Sequence, residues 1–204
     1  MKRIISILAV AAGLLAASFG ASAQAYIGAG YLNSHHKITA NDVALAFDVP
    51  GQGAYAGIGA NLYLPVNGLS LESGAYFDYL RVKMNFGPVK GDGDAYYVRV
   101  PVHFRYEYQF SYDTSVFFGA GPSVCYGLGG KVKGNLDGSD ESMPFFDDDI
   151  RRLDFQAGFE AGVKVLGHLQ VKAGYDWGLM NLMSETDNGT IKRDAVHVGI
   201  AYQF

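Results

Sequence analysis

The chain has 204 residues, a formal net charge of −4 and one cysteine, Cys125. That charge, with no run of basic residues, offers nothing to a nucleic acid, and a lone thiol cannot close the disulfide framework of a small exported domain. Twenty-seven glycines beside 14 tyrosines and 13 phenylalanines suit an all-β chain with many turns, not a helical bundle.

Residues 1–23 read as a signal peptide. Lys2 and Arg3 form a basic start, Ile4 to Phe19 a short apolar run, and Ala21-Ser22-Ala23 the small-residue pattern of a cleavage site. The run is shorter than the roughly 20 apolar residues of a spanning helix. A single mature domain over 24–204 is expected. No cysteine follows the cleavage site to carry a lipid anchor, and Cys125 is expected as a small buried side chain.

Eight segments then alternate with period two: 25–33, 53–64, 69–81, 95–108, 114–128, 151–166, 169–180 and 191–204. Each is long enough to cross a bilayer as a tilted strand. The connections 34–52, 82–94, 129–150 and 181–190 are long, whereas 65–68, 109–113 and 167–168 are short. Tight turns at one end and long loops at the other are the habit of outer-membrane barrels, with both termini on the periplasmic side.

The last segment sets Val196, Val198, Ile200, Tyr202 and Phe204 on one face and His197, Gly199, Ala201 and Gln203 on the other. Through the core of all eight segments the apolar face carries no charge, and Ser73 is its one clearly polar member. A soluble barrel would turn that face inward. Three features turn it outward. Glycines such as Gly59, Gly162, Gly174 and Gly199 crowd the charged face, where a narrow lumen needs space. Aromatics gather near both ends of the apolar face, among them Tyr31, Tyr79, Tyr96 and Trp177 at one end and Tyr106, Tyr108, Tyr202 and Phe204 at the other, as in headgroup girdles. The chain also stops on an alternating apolar strand at Phe204. The expected fold is therefore an all-β, eight-stranded antiparallel transmembrane barrel, an up-and-down meander closed so that lipid meets no open edge. Pro101 and Pro122 fall inside strands and each removes a ladder donor, so a bulge or local distortion is expected at one or both.

The segments Tyr96 to Tyr108 (YYVRVPVHFRYEY), Phe117 to Lys131 (FFGAGPSVCYGLGGK) and Val198 to Phe204 (VGIAYQF) resemble the PorT-like outer-membrane β-barrel domain family, a group similar to small OmpX-type barrels. The resemblance covers the mature chain and implies an integral outer-membrane protein of a Gram-negative bacterium, without a cofactor. It also implies that Ile200, Tyr202 and Phe204 form the terminal signal read by the barrel-assembly machinery. The chain ends with the last strand, so no appended peptidoglycan-binding domain is expected.

The chemistry to be weighed is inside the barrel. Glu72, Asp78, Arg99, Arg105, Glu107, Asp154, Glu160, Lys164, Lys172 and Asp176 all fall on the inward face, with His103 and His197. Such a set could serve a selective pore or a proton path. Nearly balanced signs in a narrow lumen favour a salt-bridged plug, because a buried charge left alone is costly. Glu72 and Arg105, and Asp78 and Arg99, oppose each other directly in one and the same register of the third and fourth strands. That register also faces Gly74 with His103 and Tyr76 with Pro101.

Other candidates are weaker. Asp137, Asp140, Glu141 and Asp147-Asp148-Asp149 in loop 129–150 match no EF-hand spacing and read as a solvated loop. Met143-Pro144-Phe145-Phe146 in that loop is either a contact site or packing over the barrel mouth. His35-His36 lacks a third metal ligand. No catalytic, cofactor or metal residue is assigned. A lipid-modifying outer-membrane enzyme would need a His and Ser on the lipid face at the external rim; this face has no His, and Ser73 lies towards the periplasm. The expected function is a plugged barrel embedded in outer-membrane lipid that binds an external protein or surface ligand through loops 34–52 and 129–150. The alternative is a narrow channel for small solutes.

Overall fold

The computed structural model describes residues 23–40, 45–86, 89–136, 139–146, 151–183 and 189–204. Its strands are β1 (Ala23–Ala40), β2 (Leu45–Tyr63), β3 (Leu69–Phe86), β4 (Val89–Ser111), β5 (Thr114–Leu136), β6 (Ser139–Pro144), β7 (Leu153–Val165), β8 (Leu169–Gly178) and β9 (Gly189–Gln203). Eight of them close a ring of antiparallel neighbours, β1-β2-β3-β4-β5-β7-β8-β9 and back to β1. β6 stands outside the ring and folds back on the upper end of β5, from Lys131↔Pro144 to Leu136↔Ser139.

The short connections are tight turns. Gly68 takes a left-handed backbone at φ 80°, and Leu166 and Gly167 both have positive φ, 55° and 73°. Positive φ at both central residues matches the right-handed twist of a two-residue hairpin, which His168 N closes on Val165 O at 3.3 Å.

The opposite end corrects the expected loops. Segments 34–52, 82–94 and 129–150 are largely strand, because β1 runs on to Ala40, β2 starts at Leu45, β3 and β4 reach Phe86 and Val89, and β5 and β6 fill most of the last. The reason is a reversal of polarity without a break in period. Above the apolar belt the outer face becomes a polar row joined register by register: Asn33↔Gln52, Gln52↔Arg81, Arg81↔Asp94, Asp94↔Lys131. The inner face becomes apolar, with Leu32, Val49, Leu80, Val82 and Ala95 buried. Below that row Ile27, Ile58, Phe77, Phe104, Phe118, Val198 and Ile200 face outward, exposed. One barrel thus obeys the membrane rule in its lower part and the rule of a soluble barrel where it projects into water.

The β3–β4 register is also corrected. Ser70 faces Arg105, Glu72 faces His103, Tyr76 faces Arg99 and Asp78 faces Tyr97, a slip of two residues from direct acid–base opposition. Two causes act together. Registers around a closed ring must agree with a single stagger, a constraint no isolated strand pair reveals. Arg and Glu side chains also reach a diagonal partner as readily as a direct one, so charge pairing does not discriminate between the two registers. The prolines leave gaps. No ladder pair joins Gly74–Ala75 to Val100–Pro101, and Pro101 O accepts from Ser73 Oγ instead, at 2.9 Å. None joins Val102–His103 to Gly121–Pro122, although β7 still pairs Ala157 with Pro122. The register shifts themselves lie elsewhere, between Tyr96 and Tyr97 and between Gln109 and Ser111.

Candidate functional site

The ten charged residues singled out for the lumen all project into it. Eight are buried, and Glu107 and Lys164 are half-buried towards the periplasmic opening. Arg105 is the lower hub. Its Nη1 donates to Glu72 Oε2 at 3.0 Å and Gln170 Oε1 at 3.1 Å, its Nη2 donates to Glu107 Oε2 at 3.1 Å, and the guanidinium lies 3.6 Å from the centroid of the Phe117 ring. Lys172 Nζ joins Glu72 at 2.9 Å to Glu160 at 3.1 Å, Tyr26 Oη donates to Glu72 at 2.7 Å, and Lys164 pairs with Glu107. Arg99 and Asp78 form the next layer, at 2.9 Å. His197 stands between Asp176, 3.4 Å away, and Glu160, 3.8 Å away. In a low-dielectric lumen this mutual neutralisation offsets desolvation that a lone charge could not bear.

Sequence reasoning missed Arg193. It is buried, donates from Nε to Asp154 Oδ2 at 3.0 Å, and lies 4.1 Å from the Tyr97 ring centroid. Its parity with His197 was the available signal. Glutamines of the inward-facing parity and tyrosines finish the filling: Gln156, Gln170, Gln203, Tyr26, Tyr55 and Tyr76 are buried among the charges. Their bulk depends on glycine opposite. A Cβ at Gly199 would lie 2.2 Å from Tyr55 Oη, and one at Gly59 would lie 2.3 Å from Tyr26 Oη. Cys125 is buried too, with Sγ 3.5 Å from Gln156 Oε1. Ile200, Tyr202 and Phe204 face outward, and the last two rings meet at 5.4 Å.

The external mouth is built differently. Phe145 and Phe146, just after β6, are buried in it, edge to face with each other at 5.0 Å; Phe146 also meets Tyr97 at 5.5 Å and Phe145 meets His36 at 6.3 Å. Of the two readings of that motif, the rings pack into the mouth. A cavity of about 70 Å³ remains beside them, lined chiefly by apolar side chains. His35 and His36, successive residues of β1, point to opposite faces and cannot share one metal ion. Asp137 and Asp147-Asp148-Asp149 lie outside the described residues. On the polar row above the belt, Asp194 accepts from Lys37 Nζ at 2.6 Å, Tyr175 Oη at 2.9 Å and Gly178 N at 3.0 Å. Partial burial pushes this carboxyl up, but the three donors outweigh it and hold it below the ordinary carboxylate value.

A closed antiparallel ring with an apolar outer belt and a charged interior fits one sequence family, the outer membrane protein beta-barrel domain, whose profile matches residues 19–184. The chain belongs to that family. It is an outer-membrane β-barrel protein of a Gram-negative bacterium. Among solved structures, OprG from Pseudomonas aeruginosa aligns at a TM-score of 0.52 with 10% identity, over 90% of this chain and 96% of that one. Ail of Yersinia pestis aligns at 0.44 with 17% identity, over 90% and 99%, and neisserial surface protein A at 0.42 with 15% identity, over 88% and 97%. Likeness at these identities concerns the barrel fold and nothing beyond it. No curated protein matches the sequence.

Proposed function

We propose that this outer-membrane β-barrel is a closed-lumen binding protein, neither a pore nor an enzyme, which acts through the strands it projects beyond the membrane. One observation carries the reading: the lumen is filled from the Glu107–Lys164 pair at the periplasmic end to the Phe145–Phe146 pair at the external end, with ion pairs and tyrosines between. Eight strands leave an interior only wide enough for side chains. The projecting strands are then what an external protein or surface ligand meets, on segments 34–52 and 129–150. Residues 1–23 act as the signal peptide in this reading, and Phe204, Tyr202 and Ile200 serve the barrel-assembly machinery. The PorT-like subgroup is the narrower family proposed, on the segments 96–108, 117–131 and 198–204.

Among the described residues no His lies on the apolar belt, and Ser73 Oγ is taken up by Pro101 O; both support a non-enzymatic role. A narrow solute channel is the second reading, favoured by a small void beside Tyr55, His103 and His197, where Tyr55 Oη and His103 Nε2 have no protein partner. Planar-bilayer recording of the purified barrel separates the two: a silent bilayer is expected, and steady single-channel steps would overturn the closed-lumen reading.

A further inference from the structure

The projecting part of the barrel has its apolar side within, as a soluble barrel does, and a small cavity remains there beside the Phe145–Phe146 pair that closes the filled lumen. The cavity of about 70 Å³ lies among His36, Val49, Val82, Phe145, Phe146 and Leu182. Close-packed interiors leave few voids larger than a water molecule, and an apolar void stays dry and accepts apolar guests. Two features make this one a built site. Gly127 seats the Phe146 ring, since a Cβ there would lie 2.3 Å from the ring's Cζ; the ring forms a wall of the cavity because that glycine lets it. Arg152 then stands over the same ring, 5.6 Å from its centroid, and gives one N–H to Leu128 O at 3.2 Å. Its guanidinium is exposed and carries five N–H donors in a planar fork suited to a carboxylate. The carboxylate that also lines the cavity, Asp154, is engaged by Arg193 and Gln156, so it adds no uncompensated negative charge.

We infer that the external mouth is a binding cup for a small hydrophobic carboxylate, its short branched chain against Phe146 and its anionic head on Arg152. The volume limits the apolar body. A cavity of about 150 Å³ takes benzene, and this one is about 70 Å³, so a chain the size of an isobutyl group fits and a long acyl tail does not. The inference rests on the closed-lumen reading, because the guest binds at the mouth and does not pass through.

The test is titration of the folded, full-length barrel in detergent micelles or nanodiscs with isovalerate, followed by NMR. Isovalerate should saturate and shift the Phe145 and Phe146 ring signals. Isopentanol, of the same shape without the charge, should bind about tenfold more weakly, the worth of one charge-assisted hydrogen bond. Acetate, with the charge and almost no chain, should be weaker by more than about tenfold. R152Q should bring isovalerate down to the level of isopentanol, and V82F, which fills the void, should abolish both. G127A should displace the Phe146 ring and weaken all the apolar guests. Where a variant fails to fold, the three-ligand comparison on the unaltered protein decides alone. No saturation by isovalerate, equal binding of acetate, or an unchanged preference in folded R152Q would each overturn the cup. A silent bilayer together with no isovalerate binding would sink the cup and leave the closed lumen standing. Conductance together with binding would do the reverse.

Discussion

Arg99 grips Asp78 across a register step, not straight across the ladder. The backbone partner of Arg99 is Tyr76 and that of Asp78 is Tyr97, yet Nε and Nη2 reach the two carboxylate oxygens at 2.9 and 3.3 Å. Arg105 and Glu72 repeat the diagonal, each facing another residue, Ser70 and His103, while bonded at 3.0 Å. The long side chains decouple charge pairing from strand pairing, so the barrel keeps its ion pairs in the register that closure demands.

Breaking such a pair from one side should be costly. Asp78→Ala leaves Arg99 buried without its carboxylate, and a loss of about 3–5 kcal/mol is expected. The double variant Asp78→Asn with Arg99→Met should lose much less than the sum of its parts. Urea unfolding of the barrel refolded into lipid, read by tryptophan fluorescence and by heat-modifiable migration, measures both. Additive losses would show that the pair contributes nothing as a pair.

Arg193 and Lys192 are neighbours on β9 with opposite fates, one buried and the other exposed. Arg193→Gln should cost about 3–5 kcal/mol through the stranded Asp154, while Lys192→Gln should stay within about 0.5 kcal/mol. The same unfolding assay ranks them, and equal stabilities would place Arg193 outside the lumen network.

The polarity reversal sets where the membrane ends. Single cysteines at Gln52, Arg81 and Lys131, in a Cys125→Ala background, should react with an impermeant maleimide on intact cells. Cysteines at Ile58 and Ala75, within the apolar belt, should not. Labelling of the belt positions, or protection of the polar row, would contradict the projection of the barrel into water.

The terminal strand separates insertion from packing. Phe204 is exposed on the lipid side, with its N–H bound to Ala25 O at 2.9 Å, whereas Gln203 is buried and donates to Gln24 while accepting from Gln170. Phe204→Asp should lower the surface amount of folded barrel more than Gln203→Ala does, and Gln203→Ala should act mainly on stability once inserted. Pulse-labelled membrane fractions with heat-modifiability scoring compare them; equal surface levels would remove the special role of the terminal ring.

Asp194 gives a pH signature outside the membrane. Its carboxyl is held below its ordinary value by Lys37, Gly178 N and Tyr175, so the stabilisation is present above the unfolded carboxylate range and is lost as pH falls through the lowered folded value. Amide exchange at the upper ends of β1 and β9 should therefore quicken under acid in the native protein. In Asp194→Asn it should be fast already and indifferent to that pH range. Identical acid profiles for the two proteins would rule the carboxyl out as the cause.

Period two through the eight segments, as in Val198, Ile200 and Tyr202 against His197, Gly199, Ala201 and Gln203, was enough to foresee a barrel, because a side chain's face follows from its parity along the strand; which face meets lipid was legible only from the glycines crowding the charged face and the aromatics at both ends of the apolar one. The membership of the charged interior followed by the same parity, and Arg193 escaped only because it lies near the start of the expected segment. Three things needed the closed ring. The β3–β4 register depends on a stagger shared by all eight strands, not on the two acid–base pairs that Glu72, Asp78, Arg99 and Arg105 can form in either register. The strands' true length hung on Leu80-Arg81-Val82-Lys83 continuing the alternation with its faces exchanged, which in sequence resembles the end of a strand and in three dimensions is the passage from lipid to water. The placement of Phe145 and Phe146 arises from contacts with Tyr97, His36 and Gly127, remote in sequence from both rings or on strands around the mouth. Only the folding back of β6 brings these groups together, and burial of the rings away from water holds them there.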